Sequence, residues 1–528
     1  MFVRNKVVKI KGKQYEYLQL VQNYRKNGKT RQRVLLTLGR TDQLDHSFVD
    51  QIVTALSDLT QNVQVLTSLD DLDFTKAKSY GDILVLQRLW KELGFNRFFS
   101  EFLSKHNIEF DVQAALKGMI FNRAIDAHSK LSTYEWLKKN VYFPEGEKLQ
   151  VHHLYRAMDF LIKYKDKLEN RLHNKLVNLL NYDTSVIFYD CSLVDMYGKS
   201  ADLCQISRKK RTQYLVSLVL SRDGLPLGHE VHPGNTADIA TVQQTIEKLK
   251  KRFSIGRCIF VCDRGMVSQE KLDQINALGY EYIVGVRLNQ WKEIKDMVLT
   301  TRGRYRQIRP NLQVKEACVN GRRYIICQNP SRTRKDRYIR EEVVESLEEE
   351  IKQLGPKTKE AARLYGHKYK GRFLKKLKDG TLKIDYAQIR EDEKYDGKYI
   401  LCTSDKNLSP EEIAITYKRL SEIERSFRSL KSLHDMEPTY HSVDRRIKAH
   451  VNICVLAHLL ERILEKKLEK EGVILTASKA LRYLKELQMA RMTLKNRNVL
   501  VRGEITPEIS RIFKALHYSF PSRVQFLS

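Results

Sequence analysis

The hydrophobic pattern of the first forty or so residues alternates with a period of two. Apolar and polar positions take turns through "VVKIKGKQYEYLQLVQNYRKNGKTRQRVLLTLG", which is the period of a half-buried strand. Asn27 and Gly28 supply a left-handed turn of the kind that joins two such strands. The sequence therefore predicts a small basic β-meander over residues 1–45.

The period then becomes helical, as in "GDILVLQRLWKELGFNRFF" and "YRAMDFLIKYKDKLENRLHNKLVNLL". Lys and Arg side chains line the polar faces of these segments. For any single helix, a solvated face and a DNA-contacting face explain such a pattern about equally well. We interpret residues 46–182 as a helical DNA-binding region, an interpretation that depends on the charge of the whole chain.

A third pattern, of strands and helices, begins near residue 186. "VIFYDCS" is a strand ending at Asp190, two strands flank Asp223-Gly224, and a helix follows Pro233-Gly234. The strand "CIFVC" leads into Asp263, and a helix and the strand "EYIVGVRL" come next. This order matches the ribonuclease-H-like topology, in which the first and fourth strands are neighbours. The pattern therefore predicts that Asp190 and Asp263 lie close together.

Residues 292–398 interrupt this plan with turn signals and a highly charged helical stretch, which favours an inserted β-rich subdomain. The strand "KYILCTSD" then resumes the core. Ser409, Pro410 and Glu412 have the spacing of a helix N-cap, a first-turn proline and a capping box.

The predicted fold class is multidomain α+β, with a ribonuclease-H-like core of mixed sheet flanked by helices. Its predicted parts are a meander at residues 1–45, a helical region at 46–182 and the first part of the core at 183–291. The insertion follows at 292–398, the second part of the core at 399–472 and a C-terminal helical region at 473–528.

Charge narrows the range of partners. Of the 528 residues, 94 are Lys or Arg and 64 are Asp or Glu, which gives a formal net charge of +30. This surplus favours a nucleic acid over an anionic membrane, because no terminal segment reads as a basic amphipathic helix. No signal peptide is visible, and the 8 cysteines include no CxxC pair. We expect a cytoplasmic protein without a structural zinc site among its cysteines.

A third acid follows the insertion. Tyr417, Glu424 and Lys431 are spaced by seven residues, close to two helical turns, so they fall on one face of a helix. Leu420 and Phe427 lie between them. On this helix alone, an ordinary amphipathic helix with polar edges is the favoured interpretation. Likewise, Asp263 and its neighbour Arg264 taken alone are best explained as solvent contacts at a loop tip.

The segment "TYKRLSEIERSFRSLKS" resembles the Tyr-Arg-Glu-Lys signature of bacterial DDE transposases of insertion sequences. The resemblance is to the insertion-sequence 4 superfamily, and more closely to the insertion sequence 1634 group. Tyr417, Glu424 and Lys431 match the signature, whereas Leu420 occupies the position of its Arg, with Arg419 beside it. "YDCS", "PLGHEVHPGNTAD", "CDRGMVS" and "GKYILCTSD" are similar to further motifs of the family, in family order.

The resemblance implies three catalytic carboxylates, Asp190, Asp263 and Glu424, which bind two Mg²⁺ ions, with Mn²⁺ as a substitute. Three clustered carboxylates repel one another unless cations lie between them, and Mg²⁺ prefers such oxygen ligands. Two ions activate the attacking oxygen and stabilise the leaving oxygen of a phosphodiester. The candidate DNA-binding residues are Tyr417, Lys431, Arg428, Arg264 and Arg419. For Arg264, Arg425 and Arg428, a salt bridge to a nearby acid is at least as good an interpretation.

The resemblance implies that the function is that of a bacterial transposase, cytoplasmic and associated with the nucleoid. It would bind terminal inverted repeats, cleave DNA at the element ends and join the 3′-hydroxyl to target DNA, and pairing two ends implies a homodimer on DNA. One alternative is a DDE-type nuclease that cuts without strand transfer. The other is a catalytically inactive relative that only binds DNA.

Overall fold

The structure is a computed structural model of the whole chain. It describes residues 2–26, 29–57, 72–180, 186–197, 201–206, 211–236, 248, 259–262, 269–277, 279–286, 297–355, 358–494 and 497–526. The predicted turn at Asn27-Gly28 and the candidate site residues Asp263 and Arg264 lie outside these residues. Two compact units are present. One consists of Met1–Lys78, Gln488–Glu504 and Phe520–Ser528, and the other of Ser79–Leu487 and Ile505–Ser519.

The first unit contains two antiparallel sheets. β1 (Phe2–Ile10), β2 (Lys13–Lys26) and β3 (Lys29–Arg40) form a sheet in that order, over the residues for which the sequence predicts a meander. Lys11 and Gly12 join β1 to β2 with φ values of 46° and 79°, the left-handed pair that a two-residue hairpin requires.

The other elements of this unit come from both ends of the chain. They are α1 (His46–Ser57), β4 (Leu72–Phe74), β18 (Gln488–Leu494), β19 (Arg497–Arg502) and β20 (Val524–Phe526). The second sheet has the order β20-β19-β18-β4. The region predicted as helical from 473 to 528 therefore includes strands as well as helices. The short strand β5 (Lys78–Ser79) spans the boundary between the units.

The second unit begins with a helical layer. Its helices are α2 (Gly81–Glu92), α3 (Phe95–Leu103), α4 (Val112–Ile125), α5 (Lys130–Lys139), α6 (Val151–Lys163) and α7 (Lys165–Leu180), with a 3₁₀ turn at Pro144–Gly146. Trp90 stacks on Phe95 at a centroid distance of 4.2 Å and on Phe99 at 5.6 Å. Helices α4 and α6 pack on the long helix α14 (Asp444–Lys470).

A ten-stranded mixed sheet forms the centre of the second unit, counted over the described residues. Its strands are β6 (Val186–Asp195), β7 (Gln205–Ile206), β8 (Thr212–Ser221), β9 (Pro226–Pro233), β10 (Ile259–Cys262), β11 (Glu281–Val286), β12 (Arg306–Arg309), β13 (Leu312–Val319), β14 (Arg322–Gln328) and β17 (Lys398–Thr403). The order is β12-β13-β14-β17-β11-β10-β6-β8-β7, with β9 on β8. β10 pairs in parallel with both β6 and β11. The predicted adjacency of the first and fourth strands is thus confirmed.

The segment predicted as an insertion divides into two parts. β12, β13 and β14 extend the main sheet, because β14 pairs with β17 from Arg323 to Gln328. The remainder has a small core of its own around Leu347, Phe373 and Leu382. Its elements are α9 (Pro330–Gln353), α10 (Lys359–Tyr365), a 3₁₀ turn at Lys370–Phe373, β15 (Leu374–Lys376), β16 (Leu382–Ile384) and α11 (Tyr386–Glu393). Of the two parts, the first belongs to the main sheet and the second packs around its own core.

Further helices pack on the sheet: α8 (Gln269–Ala277), which precedes β11, and α12 (Pro410–Lys418), α13 (Leu420–Arg428) with a π-helical turn at Ser429–Leu433, and α14, which follow β17. The last two helices, α15 (Ala477–Lys485) and α16 (Pro507–Ala515), pack on α14. The predicted capping box is confirmed: Ser409 Oγ accepts the Glu412 N–H at 3.2 Å, and the Glu412 carboxylate accepts the Ser409 N–H at 2.8 Å. The single helix that the sequence predicts through Tyr417, Glu424 and Lys431 is interrupted at Arg419 and ends in the π turn.

Candidate active site

Asp190 lies where β6 leaves the hydrophobic interior. The four residues before it, from Val186 to Tyr189, are buried, whereas Asp190 is partly exposed. Its Oδ1 accepts the backbone N–H of Cys191 at 2.8 Å. The parallel pairing with β10 runs through Phe188 opposite Val261. The strand that carries Asp190 therefore runs beside, and in the same direction as, the strand that directly precedes Asp263 in the sequence.

Glu424 projects from a helix that packs on the same strand. Leu420, Ile423 and Phe427 are buried on one side of α13 and belong to the hydrophobic cluster that contains Phe188. Glu424 is exposed. Because α13 contacts β6 directly, the backbone at Glu424 is fixed relative to the strand of Asp190. Two of the three predicted carboxylates are thus carried by elements that pack together.

Lys431 is anchored at the far end of β6. Its Nζ donates a hydrogen bond to the carbonyl oxygen of Leu193 and lies 3.2 Å from Oε2 of Glu437. Oε1 of Glu437 accepts the Asp195 N–H at 2.8 Å. Leu193 is three residues beyond Asp190, which corresponds to about 10 Å along a strand. The side chain of Lys431 therefore packs against the strand that carries Asp190. It is already paired with Glu437, a carboxylate that the sequence pattern did not single out.

The remaining candidate DNA-binding residues are distributed around this helix. Tyr417 is half-buried, and its ring stacks on Tyr399 of β17 at 6.1 Å. Arg419 is exposed, with Nη1 3.4 Å from the carbonyl oxygen of Arg222. Arg428 is exposed as well. Arg425 lies 3.1 Å from Glu422, so the salt-bridge interpretation is the one realised for Arg425.

A buried hydrogen bond links α13 to α14. Ser426, two residues after Glu424, is buried, and its Oγ lies 3.0 Å from Nε2 of His458 on α14. His458 and Glu461 of α14, together with His434 after the π turn, form a cluster of side chains with little solvent contact. The sequence pattern singled out neither His458 nor Glu461. Their spacing of three residues on an apolar helix was the available signal.

Electrostatics favour a charged Glu461. Burial by itself opposes ionisation, but the adjacent His434 outweighs it and lowers the pKa of Glu461 to about 2. Burial also works against a charged His434, yet the Glu461 carboxylate raises the pKa of His434 above its usual value. The arrangement therefore holds a negative carboxylate beside a nitrogen that favours a cation.

The chemistry available at β6 and α13 is that of hard oxygen donors. Carboxylates such as Asp190 and Glu424 suit a hard divalent cation.

No helix within the described ranges is both long and apolar enough to cross a membrane.

Two protein-family models match this sequence. The transposase DDE domain model matches residues 181–460, more than half of the chain, and the model of the IS1634 family transposase N-terminal domain matches residues 3–72. The chain therefore belongs to the DDE transposases, in the IS1634 group. This is a family of DNA-cutting and DNA-joining enzymes, which generally use divalent metal ions.

Other comparisons are weaker. A cryo-EM structure of a piggyBac transposase synaptic complex with hairpin DNA is 9% identical, with a TM-score of 0.39, over 78% of this chain and 82% of that one. A Mos1 transposase paired-end complex with the left transposon end is 13% identical, with a TM-score of 0.15, over 35% of this chain and 65% of that one. Comparison with curated protein sequences gives no significant match.

Proposed function

We propose that this DDE transposase binds the terminal inverted repeats of its element, cleaves DNA at the element ends and joins the freed 3′-hydroxyl to target DNA. The observation that carries the proposal is the packing around β6. This strand bears Asp190, runs parallel to the strand that precedes Asp263, and contacts the helix that bears Glu424. Strands β9-β8-β6-β10-β11 would then be a ribonuclease-H-like core, in the order 3-2-1-4-5.

In this proposal, Asp190, Asp263 and Glu424 hold Mg²⁺, with Mn²⁺ as a substitute. Three carboxylates provide the oxygen donors that Mg²⁺ prefers, and the partial exposure of Asp190 and exposure of Glu424 leave them accessible to DNA. When bound, the metal ions would activate the attacking oxygen and stabilise the negative charge on the leaving oxygen of the phosphodiester.

The chain's own side chains would position the DNA. Lys431 and Tyr417 would contact phosphates near the scissile bond, and Arg428, Arg264 and Arg419 would contact the flanking backbone. Because Lys431 is paired with Glu437, phosphate binding would have to compete with that carboxylate. Two element ends held together would require a homodimer on the DNA. The net charge of +30 supports a polyanionic partner of this size.

The decisive experiment measures Mg²⁺-dependent cleavage of inverted-repeat DNA by the full chain and by Asp190→Asn, Asp263→Asn and Glu424→Gln variants. We expect each variant to lose at least about a thousandfold in cleavage rate, because each removes a ligand of the catalytic ions. DNA affinity should stay within about threefold of the parent. Full cleavage by any variant would remove that residue from the site.

Matched controls lie on the same elements. Asp195→Asn changes an acid at the end of β6, and Glu422→Gln changes one on α13, two residues before Glu424. Both should retain cleavage. Joining is measured separately, with a pre-cut end as substrate. Cleavage without joining would favour the nuclease, and DNA binding without either would favour the inactive relative.

A further inference from the structure

We propose that His434, His458 and Glu461 form a structural site for a zinc-class divalent metal ion, behind the helix that carries Glu424. This inference goes beyond the proposed transposition chemistry, because the site faces the protein interior rather than DNA. The three side chains are 0%, 4% and 6% exposed. One ligand atom from each lies within 4.8 Å of the other two.

The inward-facing atoms of the three side chains are close together. Oε2 of Glu461 lies 3.0 Å from Nε2 of His434 and 3.8 Å from Nδ1 of His458. Neither of these two ring nitrogens has a hydrogen-bond partner of acceptable geometry among the residues that the structure describes. Buried nitrogens and carboxylates that converge in this way carry a desolvation cost unless a cation lies between them.

The outward-facing nitrogens are each held by a hydrogen-bond partner. Nδ1 of His434 lies 3.0 Å from the carbonyl oxygen of Arg123 in α4. A carbonyl can only accept, so Nδ1 carries the proton and neutral His434 directs the Nε2 lone pair inward. Nε2 of His458 lies 3.0 Å from Oγ of Ser426, which serves either tautomer. Outer partners of this kind orient the histidine ligands of protein metal sites.

A proton is the competing occupant. A proton on Nε2 of His434 would pair this ring with Glu461, but it would leave Nδ1 of His458 without a partner. A metal ion satisfies all three inward atoms at once. The number of converging atoms therefore favours a metal ion over a proton.

The donor set selects the kind of metal. Two imidazole nitrogens and one carboxylate oxygen are typical zinc ligands, whereas Mg²⁺ and Ca²⁺ prefer oxygen. The site joins His434, which follows the π turn, to α14 and, through Ser426, to α13. A metal ion there would fix the helix of Glu424 against α14, so the three side chains are positioning residues for the candidate active site.

The test measures zinc bound to the full chain by mass spectrometry after extensive dialysis. It is carried out in an Asp190→Asn, Glu424→Gln background, which removes carboxylates of the proposed catalytic site. We expect about one zinc per chain, and a small fraction of that in Glu461→Gln and His458→Gln. The matched control is His450→Gln, another buried histidine of α14, which should keep its zinc.

A second measurement needs no change at the site. Cobalt(II) added to the metal-depleted background protein should give a visible absorption band typical of nitrogen and oxygen ligands, and zinc should abolish it. Absence of bound zinc in the background protein, or equal zinc in Glu461→Gln, would overturn the site in favour of a proton. Since DNA cleavage is not a readout, failure of the proposed transposition chemistry would leave this result unchanged.

Discussion

Lys130 shows how a single buried charge affects stability. The side chain is 4% exposed at the start of α5. Burial, reinforced by the positive charge of Arg123, lowers the pKa of Lys130 to about 7. Between that pH and the unfolded value near 10.5, the unfolded state binds more protons, so stability rises with pH across this window. Below about pH 7, the charged amine opposes folding throughout.

Replacing this lysine tests the cost directly. We expect Lys130→Met to raise the free energy of unfolding at pH 7 by about 2–4 kcal/mol and to flatten its increase between about pH 7 and pH 9. Urea denaturation at several pH values measures both effects. Lys139→Met, an exposed position on the same helix, should change stability by less than about 0.5 kcal/mol. An unchanged pH profile would show that the pKa of Lys130 is the same in the folded and unfolded protein.

At the scale of elements, one ion pair joins α9 to the turn between α11 and β17. Arg340 is 3% exposed, and its two Nη atoms lie 2.6 Å from the two carboxylate oxygens of Asp396. The pKa of Arg340 is raised, chiefly by its hydrogen bonds to Asp396. Removing one partner of such a pair leaves a buried charge without its counter-ion, which lowers the free energy of unfolding by roughly 3–5 kcal/mol.

The prediction for this pair concerns local opening. In Asp396→Asn, amide hydrogen exchange in α9 should accelerate by roughly a hundredfold or more, because local opening no longer breaks an intact pair. Mass spectrometry of exchanged peptides measures this. Glu393→Gln is the control, since Glu393 lies 3.8 Å from Arg340 and is half exposed. Equal exchange in both variants would mean that the pair does not hold the helix.

Elements also differ in how far local sequence determines them. The capping box at Ser409 and Glu412 could be predicted because all its interactions fall within one turn. The interruption at Arg419 and the π turn before His434 were missed. Hydrophobic spacing is nearly the same for an α-helix and for one that contains a short irregularity, so this break leaves little trace in the pattern.

At the scale of the whole molecule, the +30 charge predicts strongly salt-dependent DNA binding. Each neutralised phosphate releases counterions and contributes about −0.9 to the slope of log K against log salt. We expect a slope of about −4 or steeper for inverted-repeat DNA, which corresponds to roughly five phosphates. Fluorescence anisotropy across a salt series measures the slope. A slope near zero would contradict charge-driven binding and favour recognition by uncharged contacts.

The sequence by itself determined the period-two and helical segments, the positions of the candidate acids and the charge, because these follow from local spacing and composition. The order of its motifs also indicated the family. Only the tertiary structure decided that β12, β13 and β14 join the main sheet and that Lys431 meets Glu437. It alone brought His434, His458 and Glu461 together behind α13. Such contacts join residues on different elements, and local periodicity does not specify which elements pair.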